Sequence, residues 1–435
     1  MKKSKLILYA CSGLGVNMLN IIVGSYLCSA LLVGGFDKNV ENWTYLNKDL
    51  VVAGLWSTLV LIAKIIDGLI DIPFSHFTDN LRTKWGRRKP SLVIGFVPMI
   101  IAYLLFLVPL QSHAGFLNTI WFAVLLCVFY GMYTLTMITY YATFSEIAQN
   151  EQEISLLSNA KSVCDVVYFS LGFALVPAFV SMGMNIRIVA LVFLPLSLTM
   201  LIPMFLLKEK KLPDAPKLPR GQRVTVAKSF GFVLKDKPFI LWLCVLAVMN
   251  MGLQLFLSGI NEFFSTAGLN MTFIMASCFV PVPLTILLYN KVVKKRGLGF
   301  GYRYILVVFS IGMALMYFCP MLPKKLMFPY AILCALIVSV SIGAFFSVTY
   351  SVPSFRAALR RKENESSSSM YFAIQGLFEA VSAGIASGWI LVGMKQSGTV
   401  PYMTLVVAAA CMTAFGLSFL LPKSMTRLGK EDAAP

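Results

Sequence analysis

Apolar stretches recur along the chain at 6–35, 51–74, 91–110, 117–142, 161–182, 186–207, 238–263, 270–290, 303–322, 328–350, 369–393 and 401–421. Each holds close to the ~20 apolar residues that, at ~1.5 Å rise per residue, cross the ~30 Å hydrocarbon core of a bilayer. Backbone N–H and C=O groups in hydrocarbon must be satisfied within the segment, so runs of this length read as helices. The pattern predicts twelve transmembrane helices. The longest polar stretch, 208–237, contains KEKKLPDAPKLPRGQR and parts the helices six and six. The expected organisation is an N-terminal six-helix half (1–207), a basic cytoplasmic linker (208–237), a C-terminal six-helix half (238–422) and a cytoplasmic tail (423–435). The halves carry a weak echo: the basic turn Asp79–Lys89 after the second run has a counterpart in Asn290–Gly297 after the eighth.

Composition narrows the class. The chain is 58% hydrophobic and 13% charged over 435 residues, against ~25% charged in soluble domains. One soluble core does not absorb that much apolar surface, and disorder, a coiled coil and a secreted disulfide scaffold are excluded. The net charge of +18 would suggest nucleic acid in a soluble protein, but its distribution argues otherwise. With the N-terminus inside, 29 Lys and Arg residues fall on the cytoplasmic side and six on the other. That bias predicts a multi-pass protein of the cell (inner) membrane with both termini cytoplasmic, and it accounts for the charge without a nucleic-acid partner. The leading Met1-Lys2-Lys3-Ser4-Lys5 and its apolar run read as a first span rather than a removed signal peptide. All nine cysteines lie in or at the edge of apolar runs, without CxxC or Cys/His pairing. Neither a metal nor a disulfide is expected from them; they read as small buried apolar residues. Two parallel six-helix halves with basic 2–3 and 8–9 turns make the layout of the major facilitator fold.

Ionisable residues inside spans are costly and therefore functional candidates: Lys64, Asp67, Asp71, Lys161, Asp165, Glu262 and Glu379. Lys64, Asp67 and Asp71 fall within about 60° of one another on one helix face. Two carboxylates in a low-dielectric site cannot both stay charged without compensation. Lys64 neutralises one; a proton or a metal cation must join the other, which is the minimum apparatus for cation coupling. Asp71 lies toward the cytoplasmic end, where a solvated or turn-capping role is the alternative. Asp79, Arg82, Arg87 and Arg88 at the inner mouth suit gating ion pairs, or ordinary positive-inside charge. Lys161 and Asp165, one turn apart, either pair with each other or present one member to a cavity. Glu262, near the outer end of its span, is read as interfacial or as a substrate or gating residue. Glu379, deeper in the eleventh span, is read as a cavity residue or second protonation site. No nucleophile–base pair, metal-ligand set or ATP-binding loop is evident, so neither an enzyme nor a primary pump is expected, and no cofactor.

The segment Lys64-x-x-Asp67-x-x-x-Asp71-x-Pro73, followed by Asp79-x-x-Arg82-x-x-Trp85-Gly86-Arg87-Arg88-Lys89-Pro90, resembles the glycoside–pentoside–hexuronide:cation symporters, the melibiose permease branch of the major facilitator superfamily. Weaker likeness extends to Gly15 and Asn17, to Tyr140–Glu146 and to Met370-Tyr371-Phe372-Ala373. The resemblance implies that Asp67 and Asp71 bind the coupling cation, that Thr134 assists, that Tyr141 stacks on a sugar and that Lys161 reaches it, with Lys64 as the nearby basic group. The chain also departs from that pattern. Gly13 and Met137 stand where the family's acidic positions in spans one and four fall, Ala380 where its span-eleven lysine falls, and Ile70 before the second aspartate. Sugar recognition needs convergent hydrogen-bond acceptors and a stacking aromatic, so the departures point away from a galactoside and toward a proton rather than sodium.

The expected function is cation-coupled symport of a sugar, glycoside or related small organic solute by alternating access, carried out by a monomer in the lipid bilayer. The alternative is an exporter or uncoupled facilitator of a more hydrophobic molecule.

Overall fold

The computed structural model describes residues 3–36, 40–81, 83, 85–86, 88–143, 151–207, 231–269, 271–360 and 368–427, with the backbone alone at 72, 75, 76, 79, 80, 142, 151–159, 162, 163, 166, 346, 347, 350, 351, 354, 355, 357–360 and 368–370. The described residues are almost entirely helical. We label the long helices α1 (Lys3–Leu31), α2 (Ala53–Asn80), α3 (Arg88–Phe106), α4 (Phe116–Ala142), α5 (Glu151–Ser181), α6 (Ile186–Leu206), α7 (Lys237–Ala267), α8 (Met271–Arg296), α9 (Leu298–Tyr317), α10 (Lys324–Arg360), α11 (Tyr371–Ser397) and α12 (Val400–Leu420). Eleven of them contain stretches long and apolar enough to cross a membrane; α5 carries a shorter apolar part, Val167–Ser181. Eleven of the twelve expected spans are thus met among the described residues, with α5 starting earlier and α10 ending later than their apolar runs.

The chain divides into two compact units, Met1–Pro216 with Phe264–Thr272, and Lys217–Phe263 with Phe273–Pro435. Most of the expected linker, 208–230, and the last tail residues, 428–435, lie outside the described residues. In the first unit α4 packs on α2 and α3, and α1 packs on α5 and α6. In the second, α9 packs on α10 and α12, and α8 on α10.

Several helices depart from regular geometry. α1 tightens to a 3₁₀ turn at Cys11–Gly13 and widens to a π turn at Ile22–Leu27; α11 has a π turn at Ile385–Ile390. Such turns free backbone groups, which must then find other partners. In α1 they do: the Tyr140 hydroxyl lies 2.7 Å from the Tyr9 carbonyl and 2.8 Å from that of Ala10, and Thr199 donates to the Ser12 carbonyl at 2.8 Å. Pro281, which lacks an N–H, lies at the break between Met271–Phe279 and Val282–Arg296. Gly15 allows α1 and α6 to meet: a Cβ there would lie 1.8 Å from the Leu196 carbonyl oxygen. Gly86, at φ +98°, closes the tight turn between α2 and α3, with Thr83 and Gly86 exchanging backbone bonds of 3.2 and 3.0 Å.

The cysteines correct one expectation. Cys11 and Cys164 are paired as a disulfide between α1 and α5, with Cα atoms 5.6 Å apart. The other seven are free. The pairing joins residues 153 apart in sequence, which no spacing rule could reveal.

Candidate cation and solute site

In the first unit, α2 and α4 bring together the residues with the strongest claim to chemistry. Lys64, Asp67 and Asp71 are half-buried on α2. Thr134, on α4 and 8% exposed, donates its Oγ1 hydrogen to Asp67 Oδ1 at 2.9 Å. Lys64 Nζ lies 3.6 Å from the centroid of the Tyr130 ring, a cation–π contact that holds a charge without neutralising it. Lys64 and Asp67 are electrostatic neighbours, as are Asp67 and Asp71. Tyr130 was not singled out by the sequence, although its place one turn before Thr134 puts it on the same face. Nearby on α4, Tyr133 donates to Asn17 Oδ1 of α1 at 2.9 Å.

A second group forms at the end of α4 and the described part of α5. Lys161 Nζ donates to Asp165 Oδ2, and the same ammonium lies 4.7 Å from the centroid of the Tyr141 ring. Three expected solute-binding residues therefore converge, with Lys161 already held by Asp165. Tyr140 stacks on Tyr9, centroids 5.7 Å apart, and the Tyr9 and Thr143 hydroxyls are hydrogen-bonded. A Cβ at Gly13 would lie 3.0 Å from Tyr140 Cε1 and 3.4 Å from Met137 Cε. The two positions expected to lack acidic groups thus face each other, and the space between them is filled by an aromatic ring and a thioether.

Of the inner-mouth residues, Arg88 is described: it is 5% exposed and donates to Thr78 Oγ1 at 3.4 Å. Arg82, Arg87 and the side chain of Asp79 lie outside the described residues.

The second unit holds the remaining candidates, and neither joins the other. Glu262 is not interfacial. It is fully buried on α7, and Lys395 Nζ of α11 reaches its Oε1 at 3.1 Å, with side-chain exposures of 0% and 2%. Lys395 is thus buried as well. Glu379, half-buried on α11, accepts from Gln375 Nε2 at 3.0 Å. Gln375 also donates to the Thr349 carbonyl at 2.6 Å and accepts from Trp242 Nε1 at 3.4 Å. Asn250 of α7 donates to the Glu379 carbonyl at 2.9 Å and to Ser382 Oγ at 2.8 Å. Glu379 therefore sits in a polar network that ties α11 to α7 and α10.

A further cluster was not foreseen. Asp236, which caps the start of α7, accepts from Arg356 NH2 at 2.5 Å and Nε at 3.2 Å, and from the Tyr371 hydroxyl at 2.9 Å. It ties the starts of α7 and α11 to the end of α10. Among the described residues there is no group of three or more His, Cys, Asp and Glu able to hold a metal.

The sequence profile of the family described as MFS/sugar transport protein matches residues 8–421. The chain belongs to that family. Its members are transporters, not enzymes. An uncharacterised symporter of Synechocystis sp. is 28% identical over 114 residues, a match that covers 25% of this chain and 21% of that protein, so the chain spans about a fifth of this relative. The crystal structure of the nucleoside transporter NupG superposes with a TM-score of 0.68 at 13% identity, covering 97% of this chain and all of that one. A bacterial homologue of the human lysosomal transporter Spinster, inward-facing, gives 0.61 at 13% identity with 99% of both chains covered. A bacterial homologue of ferroportin, also inward-facing, gives 0.62 at 13% identity, covering 96% of this chain and 98% of that one. These likenesses establish the major facilitator fold, and the family match with the long apolar helices makes the chain a multi-pass integral membrane protein.

Proposed function

We propose that the protein is a secondary active transporter that couples movement of a small organic solute to a cation bound by Asp67 and Asp71 with the help of Thr134. The observation that carries this reading is the contact of Thr134 Oγ1 with Asp67 Oδ1 at 2.9 Å, beside Lys64 on a half-buried helix face. A carboxylate that keeps a hydroxyl donor and a nearby ammonium, yet stays reachable, can exchange a cation as the protein changes state. The coupling ion is a proton rather than sodium, since Ile70 offers no oxygen where sodium needs several. Tyr141, Lys161 and Asp165 form a solute-binding group: Lys161 trades Asp165 for a solute oxygen, and the Tyr141 face supports a ring. Glu379 is a second protonation or solute-contact site in the other unit. The protein works by alternating access as a monomer of the cell membrane with both termini in the cytoplasm, the orientation supported by the distribution of Lys and Arg. Arg82, Arg87, Arg88 and Asp79 serve as the inner gate.

The solute is a sugar, glycoside or related compound with fewer hydroxyls to satisfy than a galactoside. A second reading, an exporter or uncoupled facilitator of a more hydrophobic molecule, is favoured by the packing of Met137 and Tyr140 against Gly13. A thermal-shift panel of glycosides, pentoses, hexuronates and apolar aglycones on purified protein finds the class. Uptake of the hit into vesicles with imposed pH or sodium gradients then separates the readings. Symport predicts that Asp67→Asn abolishes gradient-driven accumulation while counterflow persists. Equal accumulation by a correctly inserted mutant rejects cation coupling at Asp67.

A further inference from the structure

The cysteine pair is absorbed by neither transport reading. Cys11 and Cys164 lie on different helices of one unit with Cα atoms 5.6 Å apart, inside the 4.4–6.8 Å range that a disulfide accepts. Cys11 is half-buried and Cys164 is 8% exposed. Cys11 opens the 3₁₀ turn of α1, whose freed carbonyls are taken by Tyr140 and Thr199. Cys164 immediately precedes Asp165, the partner of Lys161. The pair therefore bridges the distorted part of α1 and the start of the Lys161–Asp165 group. Cys11 lies eight residues from the described start of α1, which the distribution of basic residues assigns to the cytoplasmic side. A reducing cytosol keeps such thiols as thiols.

We propose that Cys11 and Cys164 form a reversible dithiol modification site whose partner is a low-molecular-weight disulfide. The more accessible Cys11, as thiolate, attacks the small disulfide RSSR, forming Cys11–S–SR and releasing RS⁻. The Cys164 thiolate then attacks the Cys11 sulfur, forming the Cys11–Cys164 bond and releasing the second RS⁻. The protein dithiol loses two electrons, the small disulfide gains them, and the two thiol protons end on two RSH. Oxidation adds a covalent tie between α1 and α5 beside the solute-binding group; reduction removes it. The order of attack follows from exposure, since the buried Cys164 meets Cys11 more readily than it meets a solute.

The test counts thiols and needs no transported solute. Inside-out membrane vesicles carrying the full chain are incubated with oxidised glutathione or with dithiothreitol. The protein is then denatured and alkylated with a polyethylene-glycol maleimide that shifts its gel mobility. The nine cysteines predict nine additions after reduction and seven after oxidation. Cys11→Ala predicts eight additions under both conditions; Cys164→Ala predicts eight after reduction and seven after oxidation, because the Cys11 mixed disulfide then has no second thiol to resolve it. In detergent, the oxidised wild type unfolds at a temperature several degrees above the reduced form, and neither variant shows the difference. Nine additions to wild type under both conditions overturn the proposal, as does equal protection in Cys11→Ala, which would assign the reactive thiols elsewhere. If either variant fails to insert, Cys11→Ser and Cys164→Ser carry the same count. Failure of this site leaves the assignment of Asp67 untouched, because that rests on coupled uptake.

Discussion

The contact between Glu262 and Lys395 allows the sharpest test of the architecture. Two side chains at 0% and 2% exposure hold opposite charges 3.1 Å apart. At an effective dielectric of about 20 their attraction is about 5 kcal/mol, which mainly offsets the cost of taking both out of water. Replacing Lys395 by Met leaves a buried carboxylate with its charge uncompensated. Such a truncation costs about 3–5 kcal/mol, whereas replacing both partners by apolar residues of similar volume is near neutral or stabilising. The expected pattern is therefore a loss of about 3–5 kcal/mol for Lys395→Met, a comparable loss for Glu262→Met, and recovery of most of it in the double variant. The coupling between the two sites should exceed about 2 kcal/mol, well above the ~0.3–0.5 kcal/mol within which independent sites add. Unfolding free energies from denaturing-detergent titration of the purified protein in mixed micelles provide the measurement. Two results would refute the reasoning: single variants within about 1 kcal/mol of wild type, or a double variant no better than the worse single one. Either would mean that the pair is open to water or lipid headgroups and is not sealed between α7 and α11.

Other outcomes follow from the same kind of contact. Thr134→Val removes a hydroxyl donor to a carboxylate at 2.9 Å; a hydrogen bond to a charged group contributes about 1.5–3 kcal/mol, so the cation concentration for half-maximal uptake should shift about 10- to 100-fold, and an unchanged value excludes Thr134 from the site. Tyr371→Phe deletes the hydroxyl that Asp236 accepts at 2.9 Å and should cost about 1.5–3 kcal/mol, read by the same titration, while Trp85→Ala on the exposed turn should change unfolding by less than about 0.5 kcal/mol. Gly15→Ala drives a Cβ against the Leu196 carbonyl and should cost upwards of about 3 kcal/mol, seen as loss of a monodisperse peak from a fluorescent fusion; a normal peak would show that α1 and α6 can separate.

Hydropathy made the helices legible because it reports the part of each that must avoid water. It is blind to helix that continues beyond the lipid, which is why α5 begins at Glu151 rather than 161 and α10 runs to Arg360 rather than 350. It is equally blind to the 3₁₀ and π turns of α1; at the 3₁₀ turn the partners are tertiary, supplied by Tyr140 of α4 and Thr199 of α6. The group on α2 was readable because Lys64, Asp67 and Asp71 share one helix face, and the resemblance supplied Thr134. Local spacing likewise revealed Lys161 with Asp165. Pairs far apart in sequence left no signal. Lys395 and Glu262 are 133 residues apart, and no local spacing links them. Asp236 and Arg356 are 120 residues apart and equally unlinked by local spacing.

The two classes of buried charge imply different work. A carrier's coupling group must change partners within each cycle, and a group sealed from every side cannot do so without opening the packing around it. Glu262 with Lys395, and Asp236 with Arg356, have side chains at most 9% exposed and are ion-paired with each other. Lys64, Asp67 and Asp71 are half-buried, and Lys64 rests on an aromatic face that holds it without discharging it. The first kind suits fixed joints between helices, the second suits exchange. On that ground Glu262 suits the scaffold better than gating or solute contact, in keeping with the coupling role we propose for α2. Glu379 stands between them: Gln375 and Asn250 fix its helix, the residue is half-buried, and no cation is paired with its carboxyl in the contacts above. If that division holds, Glu262→Gln should damage folding in proportion to transport, and Glu379→Gln should damage transport with folding intact. The ratio of uptake to folded protein in the membrane distinguishes them, and a proportional loss in Glu379→Gln would move that residue into the scaffold as well.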